Sequence, residues 1–183
     1  MRIGIHQPNF FPHKAFFDKM REVDVFVLLS HCQYEKNGYQ NRFKYNRIWY
    51  TMSTNKGLEP IIDKSYVNYK KDWQLIKTKL QIKELDTYDS LICPFLSVTN
   101  TSIIVHIAKL LDIKTRIVFD NRTKLTGTER LVSICKEYKA DTYLSGPSGK
   151  EYMDKKLFND AGIKVEYQDI TRTRPILKVL YDR

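Results

Sequence analysis

The run DVFVLLS at residues 24–30 is the feature that most constrains the fold of this chain. Its consecutive apolar residues leave no polar face, which is typical of a strand that a sheet buries on both sides. Such strands belong to parallel sheets that are covered by helices. The run therefore predicts a buried strand in the middle of an α/β fold.

Apolar periodicity divides the rest of the chain into alternating strands and helices. Further strands are predicted at residues 2–6, 48–54, 115–120, 140–146 and 163–170. Helices are predicted at residues 13–22, 70–86, 100–111 and 126–139, with a short one within 87–98 and another that ends at 162. This order predicts a single α/β domain over residues 1–183, with a mostly parallel, Rossmann-like sheet flanked by helices. Residues 31–60 form a small β-rich insertion in this scheme.

The charge balance restricts the kind of partner. The chain has 183 residues and a formal net charge of +10, from 31 Lys and Arg against 21 Asp and Glu. A basic surface favours anionic partners such as nucleotides, phosphorylated substrates or nucleic acid. The lysines are scattered among apolar positions, and no run of five or six basic residues exists. This scatter makes nucleic acid a less favoured partner than small anionic ligands.

The chain shows no sign of a membrane or secretory destination. No stretch approaches the roughly 18–20 apolar residues of a membrane span, and the start MRIGIHQPNF lacks the pattern of a secretory signal. Cys32, Cys93 and Cys135 are odd in number, far apart and free of CxxC spacing. These features predict reduced thiols in the cytoplasm and no metal site.

Three polar motifs follow predicted strands, and ligands of parallel sheets bind beyond the carboxyl ends of the strands. The first motif is HQPNFFPH at residues 6–13. His6, Gln7 and Asn9 offer donors and acceptors to a ligand, and two prolines stiffen the loop that carries them. The alternative is an ordinary strand-to-helix turn, which explains the prolines but not His6 and Gln7 directly after a buried strand.

The second motif is CQYEKNGYQNR at residues 32–42. Amide side chains suit sugar hydroxyls or a base edge, a tyrosine can stack on a base, and Lys or Arg suits a phosphate or carboxylate. The alternative is a solvated loop. The candidate substrate-binding residues are Gln33, Tyr34, Asn37, Gln40 and Asn41, and the candidate phosphate ligands are Lys36 and Arg42.

The third motif is YLSGPSGKEYMD at residues 143–154, where glycines let the backbone approach an anion closely. It is not a Walker A motif, which requires GxxxxGK[ST]. The alternative is a glycine turn that ends a strand. The candidate phosphate- or nucleotide-binding residues are Ser145, Gly146, Ser148, Gly149 and Lys150.

The three motifs together resemble those of the WbqC-like family. The likeness covers RIGIHQPNFFPHKAFFDKM, DVFVLLSHCQYEKNGYQNR and DTYLSGPSGKEYMDKKLFNDAGIKVEYQD, in this order, over most of residues 1–170. His13-Lys14 and Ser30-His31 depart from the residues that are common in the family. Members usually continue for a few tens of residues, so the resemblance implies that this chain is shortened at its C-terminus. A homo-oligomer follows if the shortening leaves apolar surface uncovered.

The family resemblance implies a role in bacterial O-antigen and other surface polysaccharides. The leading hypothesis is a transferase or ligase that attaches a small acyl or aminoacyl group to the amine of a nucleotide-linked amino sugar. His6 is then the general base or a transition-state donor, since the ordinary pKa of imidazole lies near working pH. The alternatives are a non-catalytic protein that binds a nucleotide sugar or a partner of the same pathway, and a nucleic-acid-binding protein.

A second, looser likeness concerns ATP. FVLLSHCQYEKNGYQNR is loosely similar to a region of pantothenate synthetases, which join a carboxylate to an amine through an acyl-adenylate. The HxGH signature of those enzymes is absent, because PHKAFF stands in its place. This likeness makes ATP a candidate co-substrate.

Overall fold

The parallel sheet that the sequence predicts is present. The computed structural model describes residues 1–170 and 173–181. The sheet consists of β1 (Arg2–His6), β2 (Val25–Leu28), β5 (Arg116–Phe119), β6 (Thr142–Ser145) and β7 (Lys164–Tyr167). Its strand order is β5-β2-β1-β6-β7, and all neighbouring pairs are parallel. The Rossmann-like α/β prediction is confirmed.

Helices cover both faces of this sheet. They are α1 (Lys14–Arg21), α2 (Tyr69–Leu80), α3 (Leu96–Leu110), α4 (Gly127–Glu137), α5 (Gly149–Tyr152), α6 (Lys155–Asp160) and α7 (Ile176–Tyr181). Alternate residues of β2 enter two different hydrophobic clusters: Phe26 and Leu28 join one, and Val25 and Val27 join the other. Burial on both sides is the physical reason for the apolar run at residues 24–30.

The β-rich insertion contains one hairpin. Strands β3 (Arg42–Tyr45) and β4 (Ile48–Thr51) pair antiparallel. The two residues between them, Asn46 and Arg47, have φ values of 47° and 67°. Two successive left-handed residues form the type I′ turn that suits the twist of a two-residue hairpin. The predicted insertion near residues 31–60 is therefore confirmed.

Three helix boundaries differ from the prediction. The helix predicted at 70–86 ends at Leu80, where Gln81 takes the left-handed conformation (φ 54°), and a 3₁₀ segment follows at Lys83–Leu91. Helix α3 begins at Leu96, four residues before the predicted start at residue 100. The segment that ends at 162 contains two short helices, because the Asp154 side chain accepts a hydrogen bond from Lys156 N (2.9 Å) and starts α6 anew.

Candidate active site

A cavity of about 430 Å³ opens beyond the carboxyl ends of β1 and β6. Strand β1 has β2 on one side and β6 on the other, so the chain order reverses at this point of the sheet. Such a reversal is where open α/β sheets bind ligands. We call this space the switch-point cavity. Its walls are Ile5, His6, Gln7, Lys19, Leu29, Glu35, Leu131, Tyr143, Ser145, Gly146, Ser148 and Tyr152.

His6 is the last residue of β1, and one of its ring nitrogens is fixed. Nδ1 lies 2.9 Å from the Gln7 carbonyl oxygen. Because a carbonyl only accepts, Nδ1 carries the proton and Nε2 keeps its lone pair. The edge of the ring also packs against Phe16, with 4.9 Å between the ring centroids. The imidazole is thus held in one orientation and one tautomer.

The pKa of His6 differs from the expected ordinary value. Burial and, to a smaller extent, the nearby charge of Lys19 lower this pKa to about 4, against the raising effect of the bond to the Gln7 carbonyl. The expectation of a pKa near working pH is therefore wrong for the folded chain. At neutral pH the ring is uncharged, and its Nε2 can accept a proton or a hydrogen bond.

Gln7 joins the first motif to the second. Its Oε1 accepts a hydrogen bond from Gln40 Nε2 (2.5 Å), and its Nε2 donates to Cys32 Sγ (3.4 Å). Burial raises the pKa of the Cys32 thiol to about 11, so this cysteine is a thiol at neutral pH rather than a nucleophilic thiolate. The structure thus brings the HQPN and CQYEKNGYQNR segments together through their amides.

Two amides of the second motif are structural ties in the described contacts. Gln40 is 1% exposed, and Asn41 donates through Nδ2 to the Met52 carbonyl (2.8 Å). Behind them, Asn100 of α3 donates to the carbonyls of Pro8 (2.8 Å) and Gln40 (2.7 Å). The Tyr66 hydroxyl completes this set by donating to Asn100 Oδ1 (3.0 Å). Asn100 and Tyr66 thus tie the loop after β1 to the second motif, although sequence reasoning did not single them out.

Aromatic residues of the first motif anchor the loop after β1. Phe10 and Phe11 are buried, and Phe11 stacks on Trp73 with 5.8 Å between the rings. Phe11 has a φ of 46°, which is a strained conformation for a bulky side chain and persists only where the surroundings enforce it. The loop is rigid because of its phenylalanines as well as its prolines. Asn9 lies in this loop but is not among the residues that line the cavity.

Glu35 of the second motif lines the switch-point cavity, whereas the candidate residues of this motif lie away from it. Tyr34 and Lys36 line a separate cavity of about 540 Å³ with residues 54–58. Arg42 donates to the carbonyls of Asn37 and Gly38, and its guanidinium lies 4.2 Å from the centre of the Trp49 ring. Its donors therefore stabilise the loop that precedes the hairpin. Gln33 is exposed and forms an isolated bridge with Pro60.

The third motif contributes three of its five candidate residues to the cavity, namely Ser145, Gly146 and Ser148. A Cβ placed on Gly146 would meet nothing within 4 Å, so this glycine faces open space. A Cβ on Gly149 would overlap with Ser145 Oγ, so Gly149 allows close packing rather than ligand access. Lys150 lies outside the cavity, 5.0 Å from the Tyr167 ring centre. Helix α5 is one turn long, so its dipole is too small to bind an anion alone.

Lys19 is the main residue that the sequence analysis missed. It is 2% exposed on α1, and its Nζ donates to the Ile5 carbonyl (2.9 Å) at the wall of the cavity. Burial lowers the pKa of its ammonium from 10.5 to about 7. The signal in the sequence was its place in the helical pattern, because Lys19 follows Phe16 by three residues and therefore lies on the buried face of α1.

A buried ion pair braces the neighbouring strand ends. Asp120, directly after β5, pairs with Arg130 of α4 and accepts from Ser30 N (2.6 Å) and from His31 N (3.3 Å). Arg130 also donates to the His31 carbonyl (3.0 Å). Leu29 and Leu131, which line the cavity, are chain neighbours of this cluster. The ion pair therefore fixes one wall of the site.

The family model of the WbqC-like protein family matches residues 7–175, which is most of the chain and includes the second and third motifs and the first motif from Gln7 onward. The chain belongs to the WbqC-like family. The WbqC-like chain is also 28% identical to the uncharacterized protein Rv1507c of Mycobacterium tuberculosis (strain ATCC 25618 / H37Rv), over an alignment that covers 92% of the chain and 82% of the relative. No solved structure matches it significantly.

Two further observations concern the described part of this WbqC-like protein. No helix within residues 1–170 and 173–181 has the length and apolar character to cross a membrane. In the same residues, no three His, Cys, Asp or Glu side chains come together as metal ligands. The chemistry that the described site offers is that of an uncharged imidazole, a buried amine, hydroxyls and the single carboxylate of Glu35.

Proposed function

We propose that this WbqC-like protein is a cytoplasmic transferase or ligase of surface-polysaccharide biosynthesis. It attaches a small acyl or aminoacyl group to the amine of a nucleotide-linked amino sugar. Family membership supports the biological setting, and the switch-point cavity supports a small ligand. The observation that carries the proposal is His6, whose Nδ1 is fixed and whose Nε2 keeps a lone pair at neutral pH.

In the proposed reaction the sugar amine attacks the acyl carbonyl carbon. A nitrogen–carbon bond forms, and the bond from the acyl carbon to its leaving group breaks. The proton that the amine nitrogen loses passes to His6 Nε2. The open side of Gly146 and the Ser145 and Ser148 positions leave room for phosphate groups of the sugar nucleotide. The acyl group arrives activated, either on a carrier or as an acyl-adenylate made with ATP.

One observation favours a second candidate function, a non-catalytic binding protein for a nucleotide sugar. A His6 pKa of about 4 makes Nε2 a weak base but a good hydrogen-bond acceptor. In a binding protein, Nε2 would accept a bond from a sugar hydroxyl or amine without proton transfer. The same cavity then recognises the ligand and releases it unchanged.

Turnover and binding separate the two functions. Purified protein is incubated with UDP- or dTDP-linked amino sugars and with acyl-CoA, or with a carboxylic or amino acid plus ATP, and mass spectrometry detects the amide product. We expect His6→Ala to lower turnover by about 10²- to 10⁴-fold. The matched control is His106→Ala, on α3, where the ring packs against Tyr88 outside the cavity. Full turnover by His6→Ala refutes the role of His6, and binding without product for every donor favours the second function.

A further inference from the structure

Two lysines of this protein are almost completely buried, and their surroundings differ. Lys64 is 0% exposed, and its Nζ donates to the carbonyls of Asn55 (2.7 Å) and Gly57 (2.8 Å) and to the Glu59 carboxylate (3.2 Å). Three acceptors, one of them charged, use all three donors of the ammonium. Lys64 is therefore a satisfied structural group that organises its own loop.

Lys19 lacks such compensation. Within the described residues its Nζ has one hydrogen-bond acceptor, the Ile5 carbonyl, and forms no ion pair with a carboxylate. Two of its three donors therefore have no partner among the residues that the structure describes. A buried ammonium is costly unless hydrogen bonds and an opposite charge compensate it. The missing compensation points to a group that comes from outside the chain.

The groups around the Lys19 amine favour an anionic ligand. His6 of β1 is neutral, the Tyr143 ring of β6 lies 5.9 Å from Nζ, and Tyr152 of α5 contributes a phenol. Burial raises the pKa of Tyr143, so it stays uncharged. Glu35, from the loop after β2, lines the cavity without forming an ion pair with Lys19. The side of the cavity that holds Nζ is thus positive or neutral.

We propose that Lys19 is a ligand-binding residue whose Nζ docks an oxyanion, either a phosphate or a carboxylate, inside the switch-point cavity. This assignment deepens the proposed function. It rests on that function only where it states which substrate carries the oxyanion. A phosphate belongs to the nucleotide of the acceptor sugar, and a carboxylate belongs to the acyl or aminoacyl donor. Both bind to the ammonium through charge-assisted hydrogen bonds.

Proton uptake distinguishes Lys19 from a surface lysine that binds an anion. The free amine has a pKa of about 7, so it is mostly uncharged at pH 8. An oxyanion that docks on Nζ stabilises the ammonium, and the protein must take up close to one proton from the buffer. A surface lysine is already charged at pH 8 and takes up none.

The experiment is isothermal titration calorimetry at pH 8 and constant ionic strength, in two buffers with different ionisation enthalpies. The titrants are UDP and acetate, one for each source of the oxyanion. Uptake of a proton with UDP assigns the nucleotide phosphates to Lys19, and uptake with acetate assigns a carboxylate. We expect Lys19→Met to abolish the uptake and to weaken binding by about 10- to 100-fold. The matched control is Lys14→Met, also on α1, where Lys14 pairs with Asp18 (2.6 Å). This variant should retain the proton uptake and the affinity of the wild type.

Three outcomes overturn the assignment. They are no binding of either anion, binding by the wild type without proton uptake, and the same uptake in Lys19→Met. The wild-type titrations alone can refute it, so the test does not depend on the folding of the variant. The outcomes for the two proposals are distinguishable. Proton uptake on anion binding through Lys19, without any amide product, rejects the proposed transferase. An amide product without proton uptake rejects only the role of Lys19.

Discussion

The Lys19→Met variant also has a thermodynamic signature that requires no ligand. In the unfolded chain the Lys19 amine holds its proton up to its ordinary pKa of 10.5, but in the folded chain it releases the proton near pH 7. Between these values the unfolded state binds more protons, so the free energy of unfolding rises with pH. One pH unit of full proton difference corresponds to about 1.4 kcal/mol.

The effect of Lys19 on the free energy of unfolding changes strongly between pH 7.5 and 9.5. From pH 7.5 to 9.5 the proton difference is about nine-tenths of a proton, so the wild type should gain about 2.5 kcal/mol from Lys19. The variant lacks this contribution. The cysteines, the tyrosines and the other lysines titrate similarly in both proteins, so their effects cancel in the difference. His6 ionises far below this window and does not contribute.

The assay is urea denaturation of wild type and Lys19→Met at pH 7.5, 8.5 and 9.5. The quantity of interest is the difference between the two free energies of unfolding. We expect this difference to move by about 2.5 kcal/mol in favour of the wild type as the pH rises. A difference that stays constant over the three pH values would show that the amine keeps an ordinary pKa and would refute the reasoning.

Three further predictions concern the supports of the site. Asn100→Ala leaves two buried carbonyls with fewer donors, and should lower the free energy of unfolding by about 3–5 kcal/mol in urea. Gly149→Ala overlaps with a neighbouring hydroxyl and should cost about 1–3 kcal/mol, whereas the control Gly146→Ala meets no atom and should stay within about 1 kcal/mol of the wild type. Arg130→Met leaves the buried Asp120 carboxylate unpaired and should cost about 3–5 kcal/mol, of which the additional change Asp120→Asn should restore part. Equal stability of either Arg130 variant and the wild type would contradict a buried pair.

The sheet was predictable because burial on two faces leaves a direct mark on the sequence. Val25 to Leu28 are all apolar, since successive residues enter opposite hydrophobic clusters. Helix ends were less predictable, because local conformation decides them. Gln81 stops α2 in a left-handed conformation that glycine or asparagine usually provides, and no such residue marks the place.

The candidate site was predictable where residues follow strands directly. His6, Gln7 and Ser145 lie at strand ends and line one cavity, as the parallel order requires. Arg42 and Asn41 looked equally suitable in sequence, but their donors bind backbone carbonyls of the insertion. Lys19 escaped notice because a lysine in an amphipathic helix normally points to solvent. Its three-residue spacing from Phe16 was the sign in the sequence, and the three-dimensional packing shows that the side chain is 2% exposed.

The position of β1 has a consequence for the synthesis of the protein. Of the five strands of the sheet, β1 is synthesised first and β2 second, but the other edge of β1 must wait for β6, because Arg2 pairs with Thr142. Until then one edge of the central strand stays open, which exposes the nascent chain to association with other strands. The two walls of the cavity meet only when this long-range pairing forms. A substrate that needs both walls can therefore bind only after β6 has paired with β1, and it stabilises this late pairing rather than guiding the first steps of folding.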